Sequence, residues 1–162
     1  MEIITRENAE GENEYFLMDA DQQKETDVRL LIFEEIVNDC QWLDEENRFI
    51  LVEYYDWDNN ELLAIVNANG ELIRKGISEV IEFVTEHGMF IIMQIGDNLG
   101  EERFDYMAEE EDHVYGVINH NGDYIIDPQP EPIEYNDYEG VFELGKGDEA
   151  VKIDLVGKPA EE

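Results

Sequence analysis

The chain has 162 residues and sets 43 Asp and Glu against 10 Lys and Arg, a formal charge of −33. That balance excludes ordinary binding to nucleic acid or to an anionic membrane, because both need Lys and Arg to neutralise phosphate. A composition that is 43% hydrophobic, with eight Tyr, seven Phe and two Trp, excludes a disordered acidic tail and suits one domain with a core.

Residues 1–13 form an N-terminal segment or a first strand. They show no cationic stretch followed by an apolar run, so a cytoplasmic protein is expected. No run approaches the ~18 apolar residues of a membrane helix. Met18-Asp19-Ala20-Asp21-Gln22 reads as a turn, and Val28–Val37 as a short helical crossing segment. Arg48–Val52 reads as a strand. Leu62–Val66 is a β-branched strand that runs into Asn67-Ala68-Asn69-Gly70, a hairpin signal, with Leu72-Ile73 on the return. Ile77, Val80, Ile81 and Val84 have helical spacing. Met89–Met93 is the next strand. Val114–Ile118, the turn Asn119-His120-Asn121-Gly122 and Tyr124–Ile126 repeat the hairpin. Pro128, Pro130 and Pro132 then forbid a regular helix before the strand Val141–Leu144. Ile153-Asp154-Leu155-Val156-Gly157 opens one more hairpin.

The pattern is an internal repeat. Shifted by 52 positions, Glu61–Ile92 falls on His113–Leu144 with nine identities in 32 positions, among them Asn67, Asn69, Gly70, Gly88 and Phe90. Met18–Gln22 matches Val66–Gly70 at a shift of 48. These registers predict a mainly β fold of about three and a half stacked three-strand units. The units span about 14–60, 61–112 and 113–149, with a half unit at 150–158, in a single domain over 14–158 followed by a tail, 159–162. Because the repeat runs straight through the crossing segments, short turns or edge strands are favoured there over long helices.

The stretch Tyr115-Gly116-Val117-Ile118-Asn119-His120-Asn121-Gly122-Asp123-Tyr124-Ile125-Ile126-Asp127-Pro128 resembles the WG repeat family, also called KWG. Ile133-Glu134-Tyr135 and Glu139-Gly140-Val141-Phe142 extend the likeness over 113–144. Leu63-Ala64 stands in place of the aromatic-Gly pair in the preceding copy, and Gly76 in place of Pro128. The resemblance implies a β-rich repeat architecture and no catalytic activity.

Catalytic chemistry is poorly supplied, and no enzyme activity and no cofactor are expected. Ser78 is the only serine and has no Gly-x-Ser-x-Gly context. Cys40 lies among acids that disfavour a thiolate. His87, His113 and His120 are dispersed. Asp56-Trp57-Asp58-Asn59-Asn60 begins like a calcium loop, but Glu61 takes the glycine position and Asn67 the position of the final glutamate. A Ca²⁺-binding module is therefore kept as an alternative.

Acids and aromatics are interleaved at the junctions between units. One junction is Glu53, Tyr55, Asp56, Trp57 and Asp58. The other is Glu101, Glu102, Phe104, Asp105, Tyr106, Glu109, Glu110, Glu111 and Asp112. Aromatics offer rigid contact area, and carboxylates steer a cationic partner. The charge is about four times the ~8 that solubility asks of a small domain, so solubility alone is a thin explanation. The expectation is a non-enzymatic binding protein that occludes the cationic site of a basic partner. A toxin or a nucleic-acid enzyme fits, as for a bacterial immunity protein. A phage-type nucleic-acid mimic that blocks a restriction or CRISPR enzyme is the alternative, and high-salt adaptation is another source of such acidity.

Overall fold

The structure is a computed structural model that describes residues 1–46, 48–95 and 113–160. It is mainly β, with small antiparallel sheets of three or four strands. The chain divides at the end of the seventh strand into two compact units, Met1–Gly76 and Ile77–Glu162.

The first unit opens with β1 (Glu2–Glu7), β2 (Asn13–Asp19) and β3 (Lys24–Asp27), a three-stranded meander. A single helical turn, α1 (Val28–Ile32), leads to β4 (Ile36–Trp42). This strand starts a four-stranded meander with β5 (Phe49–Tyr55), β6 (Glu61–Asn67) and β7 (Leu72–Ile77). The core of the unit gathers Tyr15 and Leu17 from β2, Val28 and Ile32 from α1, Cys40 from β4, Ile50, Val52 and Tyr54 from β5, and Leu62, Ala64 and Val66 from β6. Alternate residues of β5 point into this core, as the period-2 geometry of a strand requires.

The second unit has the same two sizes of sheet in the reverse order. A four-stranded meander holds β8 (Glu79–Val84), β9 (Met89–Ile95), β10 (His113–Ile118) and β11 (Tyr124–Gln129). A three-stranded one holds β12 (Ile133–Asn136), β13 (Val141–Leu144) and β14 (Val151–Ile153). Its core contains Val84, Ile91, Val117, Ile126, Ile133 and Phe142.

Both shifts read from the sequence relate real strands. Asn13–Asp19 maps on Glu61–Asn67 at 48 residues, and Leu72–Ile77 maps on Tyr124–Gln129 at 52. The sheets, however, begin at β4, β8 and β12, in the crossing segments, and not at the unit starts 61 and 113. Each crossing strand pairs with the strand that follows it and so forms an edge.

The edge strand favoured for the crossing segment 77–84 is present as β8, in spite of the helical spacing of Ile77, Val80, Ile81 and Val84. Val80 pairs with Ile92 and Glu82 with Ile91, so Ile81 is an extra, unpaired residue in a β-bulge. One inserted residue moves the apolar alternation by one, and this is what imitates a helical period. The helical reading of Val28–Val37 holds only for Val28–Ile32.

Five turns among the described residues share one construction. They begin at Asn8, Asp56, Asn67, Asn119 and Asp154. In each, the side-chain oxygen of the first residue accepts the backbone N–H groups two and four residues on, at 2.8–3.1 Å. The first and fifth residues also pair through the backbone, and the fourth donates its N–H to the carbonyl of the first. That fourth residue has positive φ: Gly11, Asn59, Gly70, Gly122 and Gly157. The turns are therefore closed by an Asx oxygen with one left-handed residue. They are not two-residue hairpins with both central residues left-handed.

Gly157 carries a second constraint, since a Cβ there would stand 2.3 Å from the carbonyl oxygen of Ile125. Gly140 ends the Asn136 turn with φ 68 and has open space around it. Gly157→Ala is expected to destabilise clearly more than Gly140→Ala, which meets only the ~1 kcal/mol cost of a left-handed alanine. Urea unfolding midpoints of the two variants check this, and equal losses would show that Ile125 yields freely.

Candidate functional site

The most exposed apolar side chains of the first unit collect around α1 and the β5–β6 turn. Trp57 is 80% exposed, Phe33 78%, Leu30 73% and Ile36 54%. An open depression of about 660 Å³ is lined by Leu30, Phe33, Trp57 and acids that include Glu34 and Glu35. A second runs from Glu34, Glu35 and Ile36 to Tyr55, Asp56, Trp57 and Asn59. A third passes Glu12, Glu14, Arg29, Glu35 and Ile36. Glu35 borders all three, so the segment 33–36 stands as a ridge among them.

Local chemistry builds this ridge. Asp27 caps α1 by accepting the N–H of Arg29 at 2.9 Å, and the Arg29 guanidinium folds back on the same carboxylate at 2.7 Å. The Arg29 side chain, helped by the backbone bond, holds the Asp27 carboxyl below its usual range despite partial burial. Glu14 lies 3.5 Å from the same guanidinium. At the other end of α1 the Lys75 ammonium donates to the Ile32 carbonyl at 3.0 Å and to Glu34 at 2.8 Å. Phe33 then closes the helix with φ 60 and ψ 40. A left-handed phenylalanine costs about 1–2 kcal/mol of backbone strain, and its exposed ring returns little burial energy. A strained backbone position thus carries a large apolar side chain that stands in solvent.

Charge on the ridge is one-sided. Among the described residues Arg29 and Lys75 are already engaged by Asp27, Glu14 and Glu34. The carboxylates of Glu35 and Asp58 have no hydrogen-bond or ion-pair partner among those residues.

The sequence-derived residues divide accordingly. Trp57 and Asp58 stand at the surface, and Tyr55 is half-buried along the second depression. Asp56 is the anchor of its turn: Oδ1 accepts the N–H groups of Asp58 and Asn60, and Oδ2 accepts from the Asn60 side chain at 3.1 Å. The Asp-x-Asp-x-Asn spacing is thereby accounted for by turn geometry, as at Asn8 and Asn67. No group of three His, Cys, Asp or Glu able to hold a metal is present among the described residues. Glu53 lies on β5 and accepts from Asn38 at 2.8 Å; its nearness to Glu61, with the Asn38 bond, holds the Glu53 carboxyl below its usual range and raises that of Glu61. Glu101, Glu102, Phe104, Asp105, Tyr106, Glu109, Glu110, Glu111 and Asp112 lie outside the described residues.

Leu30, Phe33, Glu35 and Ile36 were not among the expected binding residues, because the run 28–37 reads as a helix with a core face. No local signal set them apart, since Phe33 and Ile36 stand three residues apart, a spacing that a helix face shares.

Elsewhere the nucleophiles are poorly placed. The Cys40 thiol is pushed up to about 12 by burial, with Asp39 adding to it. The Ser78 hydroxyl is buried with no hydrogen-bond partner among the described residues, and so no base orients it. His87 meets the Tyr135 hydroxyl at 3.1 Å. No helix among the described residues is long and apolar enough to cross a membrane. No family model matches the chain, and no curated protein matches it.

Two outcomes follow for the ridge. Phe33→Gly is expected to leave stability unchanged or raise it by about 1 kcal/mol, since it relieves strain and removes little buried surface. A clear drop in thermal midpoint would assign the ring a structural role instead. Asp27→Ala is expected to cost about 1–2 kcal/mol at neutral pH through the lost cap and charge-assisted bond. The Asp27 carboxyl is depressed in the folded state. Its contribution is therefore complete above the ordinary Asp range and disappears as pH falls through the depressed value. Denaturation of the wild type and the variant across pH 2–7 checks that the difference closes in acid.

Proposed function

We propose that the protein is a non-enzymatic binding protein that neutralises a basic partner by covering its cationic site, as a bacterial immunity protein covers a toxin. The observation that carries this reading is the ridge. Four large apolar side chains stand in solvent, one of them on a strained backbone, beside the Glu35 and Asp58 carboxylates, which have no cation among the described residues. Exposed apolar side chains grouped beside polar ones mark interaction sites. Aromatic anchors supply most of the affinity in such interfaces, and surrounding charges set the on-rate and the choice of partner. A net charge of −33 guides a cationic partner toward the molecule from beyond contact distance. A nucleic-acid mimic needs carboxylates at phosphate-like intervals and has no use for exposed Leu, Ile and Phe, so the ridge favours a protein partner. The WG-repeat likeness of 113–144 adds a scaffold of hairpin units to this reading and no chemistry.

Basic nucleases and toxins titrated with the protein across a salt series provide the test. At least one is expected to be inhibited stoichiometrically, with an affinity that falls steeply with salt. The double variant Phe33→Ala/Trp57→Ala should bind that partner at least about tenfold more weakly, the scale of losing central aromatic anchors. Failure of every basic protein to bind at low salt would overturn the proposal.

A further inference from the structure

The ridge carries a finer assignment about what part of a partner it grips. We propose that the depression flanked by Leu30, Phe33 and Trp57 seats an arginine side chain, its guanidinium flat against the Trp57 indole and forked onto the Glu35 carboxylate, an assignment that rests on the basic-partner reading above.

Three observations point to arginine and away from lysine. Three apolar side chains line the depression, the Trp57 ring (80% exposed), Leu30 and Phe33, beside the charged Asp27, Arg29, Glu34 and Glu35. A guanidinium is planar and weakly hydrated, so it stacks on such a surface, whereas an ammonium is a strongly hydrated point charge that loses more on leaving water. Glu35 borders the same depression as Trp57 and keeps both oxygens unengaged among the described residues. A free carboxylate beside a free ring offers a fork and a stacking plane together.

The same unit also contains the finished arrangement. The Arg6 guanidinium lies over the Phe16 ring at 4.9 Å, and it forks onto Glu25, with Nη2 2.8 Å from Oε2. Ring, guanidinium and carboxylate are thus assembled from β1, β2 and β3. At the depression of Trp57 and Glu35 a ring and a carboxylate are present, and the guanidinium that lines it, Arg29, is turned to other carboxylates. The cations near the ridge do not fill the place, because Arg29 is committed to Asp27 and Glu14, and Lys75 to Glu34 and the Ile32 carbonyl.

Labelled octa-arginine and octa-lysine peptides test this by fluorescence anisotropy at about 150 mM salt, where surface charges are screened beyond about 8 Å. The arginine peptide is expected to bind about five- to tenfold more tightly, the range of a partly desolvated cation–π contact. Trp57→Ala should bring the two affinities together by weakening only the arginine peptide, and Glu35→Gln should narrow the gap. Both side chains are exposed, so circular dichroism is expected to show both variants folded. Equal affinities in the wild type, or an arginine preference that survives Trp57→Ala, would overturn the assignment and leave the basic-partner reading standing. If neither peptide binds even at low salt, both fall.

Discussion

The fold depends on a single repeated interaction: one side-chain oxygen of Asn or Asp closing a hairpin by accepting two backbone N–H groups. A tight turn leaves N–H groups without strand partners, and an unmade backbone bond costs about as much as the turn gains. The Asx oxygen satisfies two of them at once and commits the next residues to a turn. A left-handed fourth residue then returns the chain to strand geometry. Asn8, Asp56, Asn67, Asn119 and Asp154 all do this with nearly the same distances. The residues between anchor and left-handed position contribute only side chains, which explains how Ala68, Trp57 and His120 occupy equivalent neighbourhoods. A turn of this kind can present any side chain to solvent at no cost to its own geometry.

Trp57 exploits that freedom. It sits immediately after the anchor Asp56, where the turn needs nothing from its side chain, so the indole is available for contact. The opposite wall of the groove is made differently. There α1 is too short to be stable from helix propensity alone. The Asp27–Arg29 pair at its start and the Lys75 clamp at its end hold it, and Val28 and Ile32 anchor it in the core. These contacts fix the backbone firmly enough to keep Phe33 left-handed. In a chain this acidic, Arg and Lys are scarce, and the structure spends two of them bracing this one helical turn. The same scarcity leaves Glu35 without a counter-ion among the described residues.

The repeat was legible because its determinants are local. Anchor, left-handed residue and flanking β-branched runs lie within about ten residues of each other, and they recur at shifts of 48 and 52. The edges of the sheets were harder to read. Ile81 imitates a helical period because a bulge inserts one residue, and a bulge is recognisable only when the partner strand is known. Val28–Val37 joins a helical turn to a strand through Phe33, and nothing in the apolar pattern marks where one stops. Of the groove, Trp57 and Asp58 could be anticipated from their mixture of charge and aromaticity. Leu30, Phe33 and Ile36 could not, since exposed and buried apolar residues look alike in a list.

By itself the sequence determined the class of fold, the turns that begin at Asn67, Asn119 and Asp154, and the large excess of carboxylates. All of these follow from composition or from interactions between residues close in the chain. Only the tertiary structure decided which apolar side chains stay in solvent and which carboxylates stay unpaired. Both depend on where distant segments meet: Lys75 reaches Glu34 across 41 residues, and Phe33 at the end of α1 lines one depression with Trp57 of the β5–β6 turn.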